Sequence, residues 1–276
     1  MPSALQCSFI HAPGVGPATE AALWRGGIAT WRDFALAAPR LPLGPRKTPR
    51  VAAAVEESRR ALEAADACHF TDALGSAEAW RAWPDFSEDC CFLDIETTGM
   101  FYGGSRITLV GVYDGARARV FIAGRDLDEL PEALSRFKLV VTFNGARFDL
   151  PFLRSEFGPR LLARSGHVDL RYVLRALGYK GGLKAIERTL GMSRPGEVAS
   201  FDGWDAVRLW HEHKAGSKEA LKLLVEYNLE DVLNLEPLLR LAVNENIRRL
   251  GMPADAAPSE SALDASEIIA GVVKGL

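Results

Sequence analysis

No two cysteines in this chain stand at the CxxC spacing of a zinc or redox site. The four present are Cys7, Cys68, Cys90 and Cys91. Cys90 and Cys91 are neighbours, which a strand would point to opposite faces. A disulfide framework is therefore not expected, and a reducing cytoplasm is the default compartment. The sequence also lacks an apolar run of transmembrane length. It lacks a signal-peptide pattern at the N-terminus and any internal repeat. A soluble cytoplasmic protein without a membrane partner is expected. A strong charge of either sign is missing too, since the formal net charge is −3. Nothing global announces a polyanionic partner. The distribution is less even: residues 1–60 hold eight basic and four acidic side chains.

What is present is an ordinary globular balance, 48% hydrophobic and 25% charged over 276 residues. That supports one large core and a smaller unit. Residues 1–38 read as the small unit, with helical patterns over 17–25 and 30–37 around Gly26-Gly27. Residues 39–88 read as a basic, Pro-rich linker up to about 50, then a helix over 51–66. The main domain spans 89–250. Four β-branched, apolar runs predict strands: CCFLDI, RITLVGVYD, RARVFIA and KLVVTF. HVDL at 167–170 is a candidate fifth. Helices are expected near 126–136 and over 170–178, 182–191, 203–214 and 217–235, with a last one after Pro237. Three antiparallel strands followed by crossovers give an α/β fold, a mixed sheet covered by helices. Residues 251–276, rich in Ala, Ser and Asp, read as a mobile tail.

Three places carry acids in a pattern that a plain scaffold does not need. In FLDIETTG, Asp94 and Glu96 lie two apart on a strand, so they share one side. At roughly 5 Å and an effective dielectric of about 20, such charges repel by roughly 3 kcal/mol. A divalent cation reverses that sign. A strand running out into water would also tolerate them. In FNGARFDLPFL, Asn144-Gly145 signals a turn, and Asp149 precedes Pro151 as a first-turn or capping acid would. In YNLEDV, Tyr227 and Asp231 are four apart and share a helix face. An exposed Asp beside a half-buried Tyr gives the same pattern.

Taken in order, these stretches resemble the DEDD exonuclease superfamily, subtype y, which has the ribonuclease-H-like fold. They are similar to the proofreading domains of B-type DNA polymerases. The chain over roughly 5–245, with FIHAPGVGPATEAALW and WDAVRLW, resembles the bacterial YprB-type family of ribonuclease-H-like exonucleases. The rival subtype places a His five residues before the last Asp. None of His11, His69, His167, His211 and His213 has Asp at that offset. His211 and His213 read as part of a solvated helix. Asp169 reads as a helix N-cap or as support for the site.

The resemblance implies a mixed five-stranded sheet flanked by helices, and a two-metal site for Mg²⁺ or Mn²⁺ held by Asp94, Glu96, Asp149 and Asp231. Asp94 would bridge both ions, Glu96 and Asp231 would complete the first site, and Asp149 would serve the second through water. Tyr227, whose ordinary pKa near 10 suits it poorly as a base, would orient the attacking water. Thr97, Thr98 and Gly99 would approach the terminal nucleotide, Met100 would wedge the last base, and Asn144 would contact substrate. PGVGPATEAALW further resembles a helix–hairpin–helix element. Gly14, Val15 and Gly16 would then offer backbone to a phosphate at the start of a helix; the same turn serves purely structural hairpins. The expected function is a metal-dependent 3′-to-5′ exonuclease on single-stranded DNA or RNA with a free 3′ end. The alternatives are a non-catalytic nucleic-acid-binding protein on this fold and a structure-selective endonuclease.

Overall fold

The computed structural model describes residues 2–37, 43–99, 104–192, 194, 197–256 and 265–276. Its centre is a five-stranded sheet of β1 (Cys90–Thr97), β2 (Ile107–Tyr113), β3 (Ala118–Ile122), β4 (Leu139–Thr142) and β5 (Gly166–Asp169). The order is β3-β2-β1-β4-β5. β1, β2 and β3 pair antiparallel, and β4 and β5 join β1 in parallel. This is the mixed sheet expected from the strand pattern. The turn at 114–116 closes the β2–β3 hairpin, with the Asp114 carboxylate accepting from the amides of Ala116 and Arg117.

Alternation along β1 sorts its side chains between two cores. Cys90 and Phe92 face one hydrophobic cluster, and Cys91, Leu93 and Ile95 face the other. The four cysteines are free thiols. The helices come in chain order. Ahead of the sheet lie α1 (Pro17–Arg25), α2 (Trp31–Leu36), α3 (Thr48–Glu63), α4 (Ala67–Leu74) and α5 (Trp83–Phe86). Within and after it lie α6 (Leu130–Leu134), α7 (Asp149–Phe157), α8 (Leu170–Ala176), α9 (Leu183–Thr189), α10 (Gly203–Lys214), α11 (Lys218–Leu233), α12 (Leu235–Leu250) and α13 (Ala265–Lys274). α6 and α7 cover the Ile95 face, while α8, α11 and α12 cover the other. No helix among the described residues is long and apolar enough to cross a membrane.

Several elements depart from the pattern expectations. α3 begins at Thr48, inside the stretch read as linker, because Pro49 fits a first helical turn. α4 stands where the sequence pattern marks no element; it packs on β5, where Gly166 lets the backbone of Ala67 come close. A Cβ at Gly166 would lie 2.7 Å from the Ala67 carbonyl oxygen. The break between the last long helices falls at Asn234, and Pro237 sits in the first turn of α12. The expected tail is corrected in part. Residues 257–264 lie outside the described residues, but α13 packs against α11 and β3, with Ile269 buried. Ile268, Ile269, Val272 and Val273 recur at helical spacing and join the core.

The N-terminal helices share the core of the sheet's α11 face rather than hanging beside it. Phe9, Trp31, Phe70 and Trp80 belong to the same cluster as Phe92 and Leu224. Trp31 stacks on Phe70 with centroids 6.2 Å apart. An ion pair closes this junction: Arg81 donates to Glu20 at 2.9 and 3.0 Å, and both residues are 1% exposed. Glu20 Oε1 also accepts from the amides of Phe9 and Ile10. Glu20→Ala would leave Arg81 buried with Glu78 and Ser8 as its remaining partners and the Phe9 and Ile10 amides without an acceptor, and is expected to cost about 3 kcal/mol in urea unfolding.

Burial, with help from His69 and Arg81, pushes the His11 imidazole down to about 4. The folded protein therefore holds His11 neutral, whereas the unfolded chain protonates it near pH 6.5. The unfolded state binds more protons between those values, so stability falls as the pH drops from about 6.5 to about 4. The share due to His11 is at most about 3 kcal/mol. Denaturant titrations of wild type and His11→Phe across that window should diverge in this sense, with the flatter profile in the variant.

Candidate functional site

The acids gather at one edge of the sheet, and each reaches it for a local reason. On β1 the α11-facing positions run Cys90, Phe92, Asp94, Glu96, so the apolar stripe turns acidic as the strand leaves the core. The pairing of β1 with β2 shifts register between Glu96 and Thr97, a bulge that ends regular pairing beside the acids. α11 crosses that face and brings Tyr227 and Asp231 on successive turns. Its approach depends on Gly111, which sits opposite Asp94 on β2. A Cβ there would lie 2.1 Å from Asn228 Oδ1 and 2.9 Å from a Val232 methyl. α7 starts at Asp149 and points it into the same space.

The result is a cleft of about 230 Å³ whose walls include Asp94, Glu96, Thr97, Asn144, Asp149, Tyr227 and Asp231. Asp94, Glu96 and Asp231 each offer a carboxylate oxygen within 4.8 Å of the others. Glu96 and Asp231 are 8% exposed and Asp149 is 2% exposed. Ionised neighbours in so little water oppose one another. Burial, then Asp149, Asp231 and Glu96, hold the Asp94 carboxyl well above its ordinary value. Burial, then Asp231 and Asp149, do the same to Glu96. Burial also raises Asp149 to about 7, against its own amide and that of Ile95, which donates to Oδ1 at 3.2 Å. Asp231 is raised by burial too, with Arg194 opposing. Burial and the three carboxylates push the Tyr227 hydroxyl upward, so it stays protonated. An all-oxygen donor set of this charge suits Mg²⁺ or Mn²⁺, and these residues fit such a cation.

Three neighbours of the acids, and one residue next in sequence to the cleft wall, carried no signal that would single them out in the sequence. Asn228 is fully buried and donates from Nδ2 to Asp94 Oδ2 at 2.9 Å. Lys184 places its ammonium 4.4 Å from the centre of the Tyr227 ring. Arg194 pairs with Asp231. Trp204, beside the cleft-lining Gly203, leaves 70% of its surface in water. Asn228 follows Tyr227 directly, and the helix pattern could have placed it on the strand side. Lys184 and Trp204 stand in the first turns of α9 and α10 and Arg194 in the loop between them, and no spacing rule predicts how those elements meet the acids.

Asn144 lines the cleft in the left-handed region, at φ 66°. Asp169 caps α8 through the Arg171 amide, as an N-cap would, and also accepts from the amides of Asn144 and Ala146. It thus holds the turn on which Asn144 sits. Thr97 lines the cleft, but its hydroxyl donates to the Gly99 carbonyl. The Thr98 amide donates to the Arg106 carbonyl, which ties that backbone group to protein. Gly99 lies against Ser105, whose hydroxyl a Cβ would approach to 2.8 Å. Met100 lies outside the described residues. In the N-terminal turn Gly14 has φ 83°, Val15 is buried, and the Val15 amide donates to Ala12. His211 and His213 sit on α10 and are not among the residues that line the cleft.

Comparison with known proteins follows the same outline. The sequence model of the RNase_H superfamily matches residues 91–243, more than half of the chain. No curated protein matches. Among solved structures, the family B DNA polymerase of the hyperthermophilic archaeon Pyrobaculum calidifontis is 17% identical, with a TM-score of 0.43 over 58% of this chain and 24% of that one. Brucella melitensis NrnC is 22% identical, with a TM-score of 0.43 over 70% of this chain and 85% of that one. The Aedes aegypti Nibbler EXO domain is 12% identical, with a TM-score of 0.42 over 71% and 91%.

The close passage of α11 over β2 gives a direct test. Gly111→Ala must displace the buried Asn228 or Val232 side chain. It is expected to cost about 1–3 kcal/mol in thermal or urea unfolding. An unchanged midpoint would mean that α11 does not pass as near to the acids as described.

Proposed function

This chain belongs to the RNase_H superfamily, and from the acids at its sheet edge we propose that it is a metal-dependent 3′-to-5′ exonuclease acting on single-stranded DNA or RNA. The observation that carries the reading is the meeting of Asp94, Glu96 and Asp231 within 4.8 Å, in a cleft shared with Asp149 and Tyr227. Asp94, Glu96, Asp149 and Asp231 hold two Mg²⁺ or Mn²⁺ ions in this proposal. Such ions would supply an activated water and stabilise the leaving oxygen.

The chain's own groups do the rest. The four carboxylates bind and orient. Tyr227 keeps its proton and donates a hydrogen bond that orients a water, because burial beside anions makes it a still weaker acid. Lys184, facing the ring of Tyr227, adds a positive charge where phosphate arrives. Phe143 and Phe148 line the cleft and offer apolar surface to a terminal base, with Trp204 exposed beside it. Thr97 and Asn144 contact the terminal nucleotide from the cleft wall, and Thr98, Gly99 and Met100 follow on the same segment. The turn at Gly14–Gly16, with Lys47 beside it, serves as a second contact for the strand's phosphates.

The test is degradation of 5′-labelled single-stranded DNA and RNA in Mn²⁺, Mg²⁺ or chelator, with wild type and Asp94→Ala. A ladder shortening from the 3′ end, absent in chelator and in the variant, is expected. Intact strands in every lane, from folded protein that still binds them, would favour the non-catalytic reading. Cleavage of circular single strands would replace the exonuclease by an endonuclease.

A further inference from the structure

The carboxylates of the site differ in what holds them. Asp94 accepts from the neutral amide of Asn228 at 2.9 Å, and Asp149 from a backbone amide. Asp231 meets a full positive charge: the guanidinium of Arg194 forms an ion pair with its Oδ1. The two side chains are 4% and 11% exposed.

Arg194 is itself fastened from behind. Its Nε donates to Glu187 Oε2 at 2.8 Å and its Nη2 to Glu187 Oε1 at 2.6 Å. That is the two-pronged geometry in which arginine binds carboxylate most firmly. Glu187, on α9, is 2% exposed and also accepts from Asn234 Nδ2 at 3.0 Å. The linkage therefore runs Asn234, Glu187, Arg194, Asp231. It leaves the end of α11 and returns to the same helix.

This arrangement bears on two roles. A guanidinium that merely neutralised the empty site would have to move away when a cation arrived. Here, moving it would break two charge-assisted bonds to a buried carboxylate and leave that carboxylate with only the neutral Asn234 amide. A fixed clamp has no such cost. It takes one oxygen of Asp231, leaves the other for an ion, and settles the rotamer before the ion binds. Arg194 and Glu187 cancel in charge, so the clamp orients without lowering the net negative charge that draws a cation.

We infer that Arg194, locked by Glu187, is a positioning residue that presents Asp231 to a divalent cation. This rests on the metal-dependent reading above. The experiment is a Mn²⁺ titration of the full chain without nucleic acid, followed by the electron paramagnetic resonance signal of free Mn²⁺. It compares wild type, Asp94→Ala, Arg194→Gln, Arg194→Lys and Glu187→Gln. Loss of the clamp should weaken Mn²⁺ binding roughly 10–100-fold in Arg194→Gln and in Glu187→Gln. Arg194→Lys, which keeps the charge and loses the fork, should recover only part of it. Binding as tight as wild type, or tighter, in Arg194→Gln overturns the inference. Should that variant lack native circular dichroism, unchanged binding in folded Glu187→Gln overturns it equally. A wild type that binds no Mn²⁺, like Asp94→Ala, removes the metal reading and this inference with it.

Discussion

Mutual repulsion among carboxylates is the constraint around which this protein is built. Three of them bring oxygens within 4.8 Å of one another, and a fourth lines the same cleft. In a low-dielectric edge such groups resist ionisation together, and the fold must hold them against that resistance. The surrounding structure supplies the holding. The hydrophobic stripe of β1 anchors the strand below the acids, Gly111 admits α11 above them, and Asn228 and Arg194 each grip one carboxylate. An arrangement that is costly to fold and unsatisfied by protein donors alone is what a cation site requires.

The sheet and the core acids were legible because they obey short-range rules. Strand alternation put Asp94 and Glu96 on one side, and β-branched runs marked the strands correctly through the hairpin at Asp114. Helical spacing put Tyr227 and Asp231 on one face. What those rules leave open is how separate elements meet. That Asp149, 55 residues after Asp94 and on another helix from Asp231, enters the same cleft follows from chain crossovers rather than from local pattern. The resemblance of the motif order to a known superfamily bridged that gap for the acids.

No such bridge existed for their supports. Gly111 sits in an unremarkable strand, and only the passage of α11 explains it. Arg194 follows α9 in a loop, where one arginine among many gives no sign of reaching Asp231. α4 hides in a stretch of mixed polarity, and α13 in a segment whose composition resembles a solvated tail. The N-terminal helices illustrate the same point. Their basic excess was visible, but their shared core with the sheet and the buried Glu20–Arg81 pair depend on contacts 61 residues apart in sequence. Packing of this kind is set by shape and burial, which composition does not encode.

The central claim is that the acids are held together for a cation, at a cost to the empty protein. Urea unfolding of wild type and Asp94→Asn, in chelator and then in Mn²⁺, tests it most directly. Relief of repulsion predicts that the variant is more stable than wild type in chelator, by about 1–3 kcal/mol. The order should reverse in Mn²⁺, because the cation stabilises the wild-type fold by mass action. A variant less stable than wild type in chelator, with no effect of Mn²⁺ on either protein, would contradict the account.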